Sequence, residues 1–396
     1  MSGILPDHEV QAKAVADNLV IATDPAVRSM CVTWWEQSRP WATTVLRMVQ
    51  GSADHQIRSA GKRLLENTDD QQLHAELVSA LLKHDTGTPP TAAIFEAAWQ
   101  AECNSRLGYH LGPRYTTTVP VIDADSIRAM PAGLSTGIRD GAEILIVVPF
   151  RDQGDERGRL RNLLACLLAL RDQSYPRSGY RITVVESDET PRWREIIAPY
   201  ADHYLFAEDP GPFNKSWAVN VGAMHSPGRP EVLCILDADV LADRNFIARN
   251  AARFQNPGTG GHLPYRDMLC LDPAASSFAI SERLSRNVSE IHPGHLRGFL
   301  LRRPPGCCIW VRMATFQRIG GMDERYQGWG GEDYDFAHRL DFEAPLDTYD
   351  DWLLHMYHRP APMPGPYEQS ANARIPSLSW RPTEPIGRLD RFASSH

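Results

Sequence analysis

The sequence lacks the features of proteins that bind nucleic acids or span membranes. Its 396 residues carry 41 Lys and Arg against 49 Asp and Glu, with no basic cluster interleaved with aromatics. The net charge of −8 argues against nucleic acid or an anionic membrane as the main partner. No stretch reaches the roughly 18 consecutive apolar residues of a membrane span. The N-terminus has no basic region followed by an apolar run, so no signal peptide is predicted.

Cysteine is scarce and irregularly placed. The seven cysteines, an odd number without regular spacing, favour reduced thiols in a cytoplasmic protein over a disulfide framework. Cys307 and Cys308 are adjacent in GCCIWV, and we interpret both as small buried residues of a strand. A reactive thiol at this position is the alternative.

The hydrophobic pattern changes near residue 140. Before it, QQLHAELVSALLKHD and TAAIFEAAWQAE space apolar residues as helices do, which predicts a helical region of unknown role over residues 1–140. After it, the apolar runs EILIVVPF, RITVVES and EVLCILDADV alternate with helical stretches. This alternation predicts βαβ units and a mainly parallel sheet over residues 141–358. Residues 359–396 are rich in Pro, Gly and Ser and predict a loop or extended tail.

Polar residues follow these apolar runs, at the strand ends where parallel sheets bind ligands. Asp237 and Asp239 come directly after VLCIL, and two acids one residue apart can hold a hard divalent cation, although such triplets also occur in turns. His355 and His358 could complete that site, and histidine suits Mn²⁺ better than Mg²⁺. Arg151, after the first strand, can bind phosphate oxygens or form a surface salt bridge.

Two further segments carry candidate site residues. In GPFNKSWAVNVGAMHS, Asn214 and Lys215 follow a Gly/Pro turn and could reach a nucleotide, with a plain helix start as the alternative. In GWGGEDYDFAHRL, Glu332 and Asp333 can stabilise a helix start through the helix dipole. The dipole does not explain Trp329 between glycines, which let a backbone approach a ligand closely. A carboxylate fixed behind that turn can take a proton from an acceptor hydroxyl.

In this order, PFR, FNKSWAVNVG, DAD, GWGGEDYD and MYH resemble the β-1,4-galactosyltransferases and the related galactosaminyltransferase domains of chondroitin-synthesising enzymes. The resemblance covers Glu143 to Arg359, a little over half of the chain. It implies a GT-A fold, an α/β architecture whose mixed, mainly parallel sheet is flanked by helices. It also implies a metal-dependent, inverting transfer of Gal, GalNAc or GlcNAc from a UDP-sugar, with Mn²⁺ as cofactor and Mg²⁺ as the alternative.

The resemblance also implies roles for individual residues. The implied donor-binding residues are Pro149, Phe150, Arg151, Asn214, Lys215, Asp237, Asp239, Trp329 and Gly330. Asp239 and His358 correspond to metal ligands. His355 stands where the galactosyltransferases have methionine, so it either binds the ion or only replaces the thioether. Asp333 corresponds to the catalytic base and Glu332 to a residue that contacts sugar hydroxyls.

The resemblance further implies two mobile segments. Trp329 corresponds to a lid that closes over the donor, with the adjacent glycines as its hinge. The segment after His358 corresponds to a second loop, which we expect to be mobile in the free protein. Gln153 stands where the family has a second arginine, which leaves the way the diphosphate is held less defined.

Other departures from the family leave the substrates open. PPGCCIWV lacks the Gly-Gly pair of the family's sugar-selecting segment, so the donor sugar is not defined. Residues 1–140 have no counterpart in the family and could shape an acceptor site, dimerise or hold a partner. The lack of an anchor and stem predicts a cytoplasmic, bacterial relative. Two alternatives are a retaining N-acetylgalactosaminyltransferase, which usually has Asn after the Glu, and a sugar-nucleotide-binding module without turnover.

Overall fold

The computed structural model describes residues 7–30, 32–83, 89–130, 141–154, 157–328, 330–359 and 371–392. Its helices are α1 (His8–Thr23), α2 (Pro25–Met30), α3 (Val32–Gln50), α4 (His55–Glu66), α5 (Gln71–Leu82), α6 (Pro89–Asn104), α7 (Ala124–Arg128), α8 (Gly158–Arg171), α9 (Arg194–Ile197), α10 (Lys215–His225), α11 (Phe246–Arg253), α12 (Pro273–Ile280), α13 (Met313–Arg318) and α14 (Glu332–Glu343). Its strands are β1 (Leu107–Leu111), β2 (Ile144–Phe150), β3 (Tyr180–Asp188), β4 (His203–Glu208), β5 (Val232–Leu236), β6 (Gly261–Leu263), β7 (Asp267–Leu271), β8 (Arg297–Arg302), β9 (Cys308–Arg312), β10 (Leu346–Thr348) and β11 (Leu353–His355). None of the described helices combines the length and the apolar character needed to cross a membrane.

The chain forms two compact units that interleave along the sequence. The first comprises Met1–Val119, Asp267–Ser276 and His292–Arg303, and the second comprises Pro120–Arg266, Ser277–Ile291 and Pro304–His396. The sequence predicts a continuous division at residue 140 instead. The two divisions differ because β7 and β8, which come late in the chain, pair with each other and β8 pairs with β1.

The first unit combines helices α1 to α6 with an antiparallel sheet in the order β1-β8-β7. The predicted all-helical N-terminal region therefore missed β1, in which Tyr109 lies opposite Phe299 of β8. Arg297 on β8 is buried and pairs with Asp24 and, at 3.1 Å, with Asp272. Because a buried charge is stable only when it is paired, this cluster ties β8 to the end of α1.

The second unit contains the mixed, mainly parallel sheet that the sequence predicts. Its seven strands lie in the order β10-β6-β9-β5-β2-β3-β4. Strands β5, β2, β3 and β4 are parallel, whereas β9 runs antiparallel to both β5 and β6. Every residue of β2, β3 and β5 is buried, as in parallel strands covered on both faces. The apolar runs predicted these three strands and β9, but not β4.

Helix α10 packs closely on the parallel strands β2 and β3. A Cβ at Gly222 would lie 2.5 Å from Val147 Cγ1 and 3.0 Å from Val185 Cγ2, so only glycine permits this approach. Trp217 is fully buried, and its Nε1 donates to the Arg388 carbonyl at 2.8 Å. The first turn of α10 is thereby held at the carboxyl ends of the strands.

Candidate active site

The chain leaves β5 at Leu236 and passes through Asp237 and Asp239. The Asp237 N–H donates to the Cys307 carbonyl at 2.8 Å. Because β5 and β9 pair antiparallel, with Leu236 opposite Cys308, the start of β9 lies beside this turn. The two acids therefore stand at the carboxyl edge of the parallel strands, where such sheets bind ligands.

Strand β11 brings two histidines to Asp239. Val240 forms an antiparallel bridge with His355, and the Met356 N–H donates to the Asp239 carbonyl at 2.8 Å. His355 Nε2 lies 3.3 Å and His358 Nε2 lies 3.0 Å from Asp239 Oδ2. Backbone pairing thus places His355 beside Asp239, and the side chain of His358 also reaches the Asp239 carboxylate.

The histidines keep Asp239 ionised. Burial alone would raise its pKa, but the charges and hydrogen bonds of His355 and His358 hold the pKa well below its usual range. Burial lowers the pKa of His355, and the stronger combined influence of Asp239 raises it. Asp239 Oδ1 and His355 Nδ1 are buried and have no hydrogen-bond partner within the described part of the chain. A buried carboxylate oxygen without a donor is a position that a cation can fill.

Lys215 connects Asp237 to a second acidic pair. It is the first residue of α10, whose N-cap Asn214 accepts a hydrogen bond from the Trp217 N–H at 2.8 Å. Lys215 Nζ lies 2.8 Å from Asp237 Oδ1 and 3.1 Å from Asp333 Oδ1. Burial lowers the pKa of Lys215, but the two carboxylates raise it well above its ordinary value. Lys215 therefore remains charged and holds both carboxylates in place.

Glu332 and Asp333 open α14 directly after Gly331, whose φ is 101°. Burial, followed by the charge of Asp333, raises the pKa of Glu332 to about 7, and Lys215 opposes that rise. Burial also raises the pKa of Asp333, again against the influence of Lys215. These neighbouring carboxyl groups titrate as a pair. A carboxylate with a raised pKa is suited to general base catalysis near neutral pH.

A glycine makes room for Asp333. A Cβ at Gly306 would collide with Asp333 Oδ2 and lie 3.0 Å from its Cγ. The Tyr265 hydroxyl donates to the carbonyls of Pro304 and Gly306, which fixes this backbone. Gly306 therefore packs directly against the carboxylate, a contact for which the sequence gives no signal.

Cys307 is a site residue that the sequence interpretation places inside a strand. Cys308 is the first residue of β9 and is 1% exposed, but Cys307 precedes the strand, is partly exposed and has a φ of 66°. Ligand atoms of Asp239, Cys307 and His355 all lie within 4.8 Å of one another, the one such group of three found in the described residues. No signal in GCC distinguishes the two cysteines.

The residues of the PFR motif lie inside the protein. Pro149 and Phe150 are buried, with Phe150 2% exposed. Arg151 donates to the carbonyls of Ser187, Asp209 and Gly211, the last two at 2.8 and 2.7 Å. These bonds join the ends of β2, β3 and β4. Arg151 Nη2 also lies 3.4 Å from Asp209 Oδ2, so the salt bridge that it forms is a largely buried one. Its contact with phosphate remains a prediction.

Asn214 is also internal. Its side chain is fully buried, caps α10 and donates through Nδ2 to the Glu324 carbonyl at 2.8 Å. The plain helix start, an alternative at the sequence level, therefore describes Asn214. Its neighbour Lys215 instead points to the acidic residues of the site.

The glycine-rich turn before α14 contacts the C-terminal tail. Trp329 lies outside the described residues, but Gly330 beside it has a φ of 99°, which glycine adopts without strain. Asn372 Nδ2 donates to the Gly330 carbonyl at 2.9 Å. Asn372 therefore lies next to this turn, whereas residues 360–370 of the second predicted loop lie outside the described ranges.

Known families match the part of the chain that carries most of these residues, although His355 and His358 lie beyond both matches. Residues 146–319 match the family described as Glycosyl transferase family 2, and residues 302–344 match the one described as N-terminal domain of galactosyltransferase. Two curated relatives, both named validoxylamine A glucosyltransferase, come from Streptomyces hygroscopicus subsp. jinggangensis (strain 5008) and subsp. limoneus. Each is 23% identical over an alignment of 251 residues, and the match covers 55% of this chain and 54% or 50% of the relative. The chain thus spans about half the length of the curated relatives it matches.

Solved structures show more distant likenesses. The mannosyltransferase PcManGT from Pyrobaculum calidifontis, in complex with GDP-Man and Mn²⁺, has 18% identity, a TM-score of 0.37 and coverage of 59% of this chain and 62% of its own. The catalytic domain of Drosophila β1,4-galactosyltransferase 7, in complex with xylobiose, has 17% identity, a TM-score of 0.35 and coverage of 63% and 83%. Likenesses at this level do not bear on substrate or metal.

The family matches and the sheet topology agree on the class of protein. Residues 146–319 resemble glycosyltransferase family 2, residues 302–344 resemble a galactosyltransferase domain, and the fold is a GT-A-like α/β fold. This confirms the predicted fold, and the family matches support the predicted glycosyltransferase class. The narrower assignment to the β-1,4-galactosyltransferase or chondroitin type remains a prediction.

Proposed function

We propose that this protein is a metal-dependent, inverting glycosyltransferase that transfers a hexose from a UDP-sugar to an acceptor hydroxyl. Gal, GalNAc and GlcNAc are the donor sugars that the resemblance implies. Glucose is a further candidate donor sugar because the curated relatives are named glucosyltransferases. The acceptor is a glycan, a glycolipid or a small molecule, and the name of the relatives favours small molecules as the first to test.

The position of Lys215 is the observation that carries this proposal. Lys215 bridges Asp237 and Asp333, and Asp237 is two residues from Asp239 with its histidines. In a UDP-sugar the diphosphate is bonded directly to the anomeric carbon. A transferase therefore needs a cation-binding group and a base close together, and the arrangement around Lys215 supports that requirement.

Asp239, His355 and His358 would hold the divalent cation. Asp239 Oδ1 is buried without a hydrogen-bond partner among the described residues, which fits a cation ligand. A carboxylate with imidazole nitrogens suits Mn²⁺ better than Mg²⁺, although Mg²⁺ remains the alternative. When bound, the cation neutralises the charge that develops on the leaving diphosphate.

The remaining residues position the acceptor and the donor sugar. Asp333 takes the proton of the acceptor hydroxyl while the hydroxyl oxygen attacks the anomeric carbon from the face opposite the diphosphate. The bond from that carbon to the diphosphate breaks and UDP leaves, which inverts the configuration. Glu332 contacts sugar hydroxyls, and Lys215 orients Asp333. The resemblance implies a lid at Trp329, which would exclude water because hydrolysis of the activated sugar is the competing reaction.

A donor panel tests the proposal. Binding and hydrolysis of UDP-, GDP- and dTDP-sugars are measured with Mn²⁺ and with a chelator. We expect a metal-dependent signal with UDP-sugars alone. The absence of a metal-dependent signal with every donor would contradict the proposal.

Two further outcomes distinguish the alternatives. The anomeric configuration of the product, read from NMR couplings, should be opposite to that of the donor. A retained configuration would indicate a retaining N-acetylgalactosaminyltransferase type of mechanism. Donor binding without hydrolysis or transfer to any acceptor would indicate a sugar-nucleotide-binding module.

A further inference from the structure

Cys307 lies where a further ligand of the proposed cation site would lie. Its Sγ, a carboxylate oxygen of Asp239 and a ring nitrogen of His355 are mutually within 4.8 Å. Two atoms that bind one ion at about 2.0 to 2.3 Å can be no more than about 4.6 Å apart. The three groups therefore need only small side-chain rotations to share an ion.

The backbone at Cys307 is unusual for a residue with a side chain. Its φ of 66° lies in the left-handed region, which costs most residues energy and which glycine adopts freely. The Cys307 carbonyl accepts the Asp237 N–H at 2.8 Å, so the pairing of β9 with the β5 turn fixes this conformation. Gly330 and Gly331 occupy the left-handed positions of the neighbouring turn. A cysteine at a position suited to glycine indicates that the thiol itself has a role.

The adjacent cysteine has a different environment. Cys308 is 1% exposed and its thiol contacts Cys234, so it belongs to the interior of the sheet. Cys307 instead lies near Asp239 and His355, whose Oδ1 and Nδ1 atoms are buried and have no hydrogen-bond partner within the described chain. Of these two adjacent cysteines, Cys307 is therefore a candidate metal ligand and Cys308 is a residue of the core. Cys308 is a matched control for the loss of a thiol.

We propose that Cys307 binds the same divalent cation as Asp239 and His355, through a thiolate sulfur. As the sulfur–metal bond forms, the thiol proton leaves to solvent, and no oxidant or reductant is needed. Sulfur favours softer ions, so the site should prefer Co²⁺ or Zn²⁺ over Mg²⁺ more strongly than carboxylate and imidazole alone would. This inference rests on the metal dependence in the proposed function.

Cobalt spectroscopy on the full chain tests the thiolate directly. Co²⁺ is titrated into the wild-type protein, Cys307→Ser and Cys308→Ser, and the near-ultraviolet sulfur-to-cobalt charge-transfer band is recorded. We expect the band in the wild type and in Cys308→Ser and its loss in Cys307→Ser. Loss of an outer-shell partner alone costs roughly 10–100-fold in metal affinity, so Co²⁺ should bind Cys307→Ser at least about tenfold more weakly. Mg²⁺ affinity should change by less than about threefold, because Mg²⁺ has little affinity for sulfur.

A second variant distinguishes loss of the thiol from loss of folding. Cys307→Gly removes the thiol and relaxes the left-handed backbone, so it should fold at least as well as the wild type and also lack the band. A wild-type protein that binds Co²⁺ without the band, or a band that persists in Cys307→Ser or Cys307→Gly, would overturn the inference and leave the proposed function intact. If the wild type binds neither Co²⁺ nor Mn²⁺, the inference fails together with the proposed metal dependence.

Discussion

Lys215 Nζ lies 3.1 Å from Asp333 Oδ1, and the same ammonium group lies 2.8 Å from Asp237 Oδ1. The Lys215 side chain is 11% exposed, so solvent screens these ion pairs weakly. Lys215 begins α10 and Asp333 is the second residue of α14, so the contact also joins the starts of two helices. Lys215 therefore opposes the rise that burial causes in the pKa of the proposed base, Asp333.

Removal of the Lys215 charge should change the pH dependence of turnover. Lys215 lowers the pKa of Asp333, so Lys215→Met should raise that pKa further. An opposite charge within hydrogen-bonding distance shifts a carboxyl pKa by about 1–3 units, and the acid limb of kcat/KM should move to higher pH by a similar amount. Lys215→Arg, which keeps the charge, is the control. An acid limb that stays in place in Lys215→Met would show that this ion pair does not set the protonation of the base.

Two isosteric variants should separate the roles of the acidic pair. Asp333→Asn should lower kcat by about 10²–10⁴-fold, the usual contribution of a general base, and leave donor binding largely intact. Glu332→Gln should weaken donor binding with a smaller effect on kcat, because Glu332 is proposed to contact the sugar. The measurement is kcat, KM and donor affinity for each variant. If Glu332→Gln abolishes turnover and Asp333→Asn does not, Glu332 is the base.

The raised pKa of Glu332 should make the folded state less stable as pH rises. Burial raises its pKa from the ordinary value of 4.5 to about 7, so between these values the folded state binds more protons than the unfolded chain. The free energy of unfolding therefore falls over this range. Glu332→Gln should remove this decrease in the free energy of unfolding. The change in that free energy caused by the mutation should therefore be more stabilising at pH 8 than at pH 5, by on the order of 2 kcal/mol.

Urea unfolding at both pH values measures this effect. Glu231→Gln, at an exposed glutamate before β5, is the control for the loss of a carboxyl group without burial. An equal change in stability at pH 5 and pH 8 for Glu332→Gln would contradict the raised pKa.

The strands and acidic site residues that are marked by a local sequence pattern could be predicted from the sequence. Continuous apolar runs predicted β2, β3 and β5, because parallel strands covered on both faces exclude polar residues. The position of Asp237 and Asp239 followed from the end of β5. His355 required the family resemblance, since only the pairing of β11 with Val240 brings it to Asp239.

Contacts between distant parts of the chain could not be predicted in this way. The pairing of Tyr109 with Phe299 places a strand in a region whose local pattern is helical. The hydrogen bonds of Arg151 to carbonyls at other strand ends could not be predicted from the PFR motif. Cys307 and Cys308 have identical side chains, and only the left-handed φ at Cys307 separates their surroundings. These features depend on backbone geometry and packing, which no local pattern records.

A methyl group at Gly306 should displace the Asp333 carboxylate. The backbone there is fixed by Tyr265, so Gly306→Ala should push Asp333 away from its position beside Lys215. Small misplacements of reacting groups are costly, and we expect kcat/KM to fall by roughly 10–100-fold. Overpacking alone should cost about 1–3 kcal/mol of stability. Gly158→Ala, where the added Cβ meets no atom within 4 Å, is the control. Wild-type activity in Gly306→Ala would argue against Asp333 as the base.

Thermal unfolding with and without Mn²⁺ should identify the residues that hold the cation. A ligand that binds only the folded state at a hundred times its Kd stabilises it by about 2.7 kcal/mol, so Mn²⁺ should raise the Tm of the wild type. Asp239→Ala should remove this rise, whereas Asp347→Ala, at an exposed acid on β10, should keep it. His355→Ala and His358→Ala should each reduce the rise, because both imidazoles lie against Asp239. A full rise in His355→Ala would mean that His355 only fills the place of the family's thioether, and a full rise in Asp239→Ala would remove Asp239 from the ligand set.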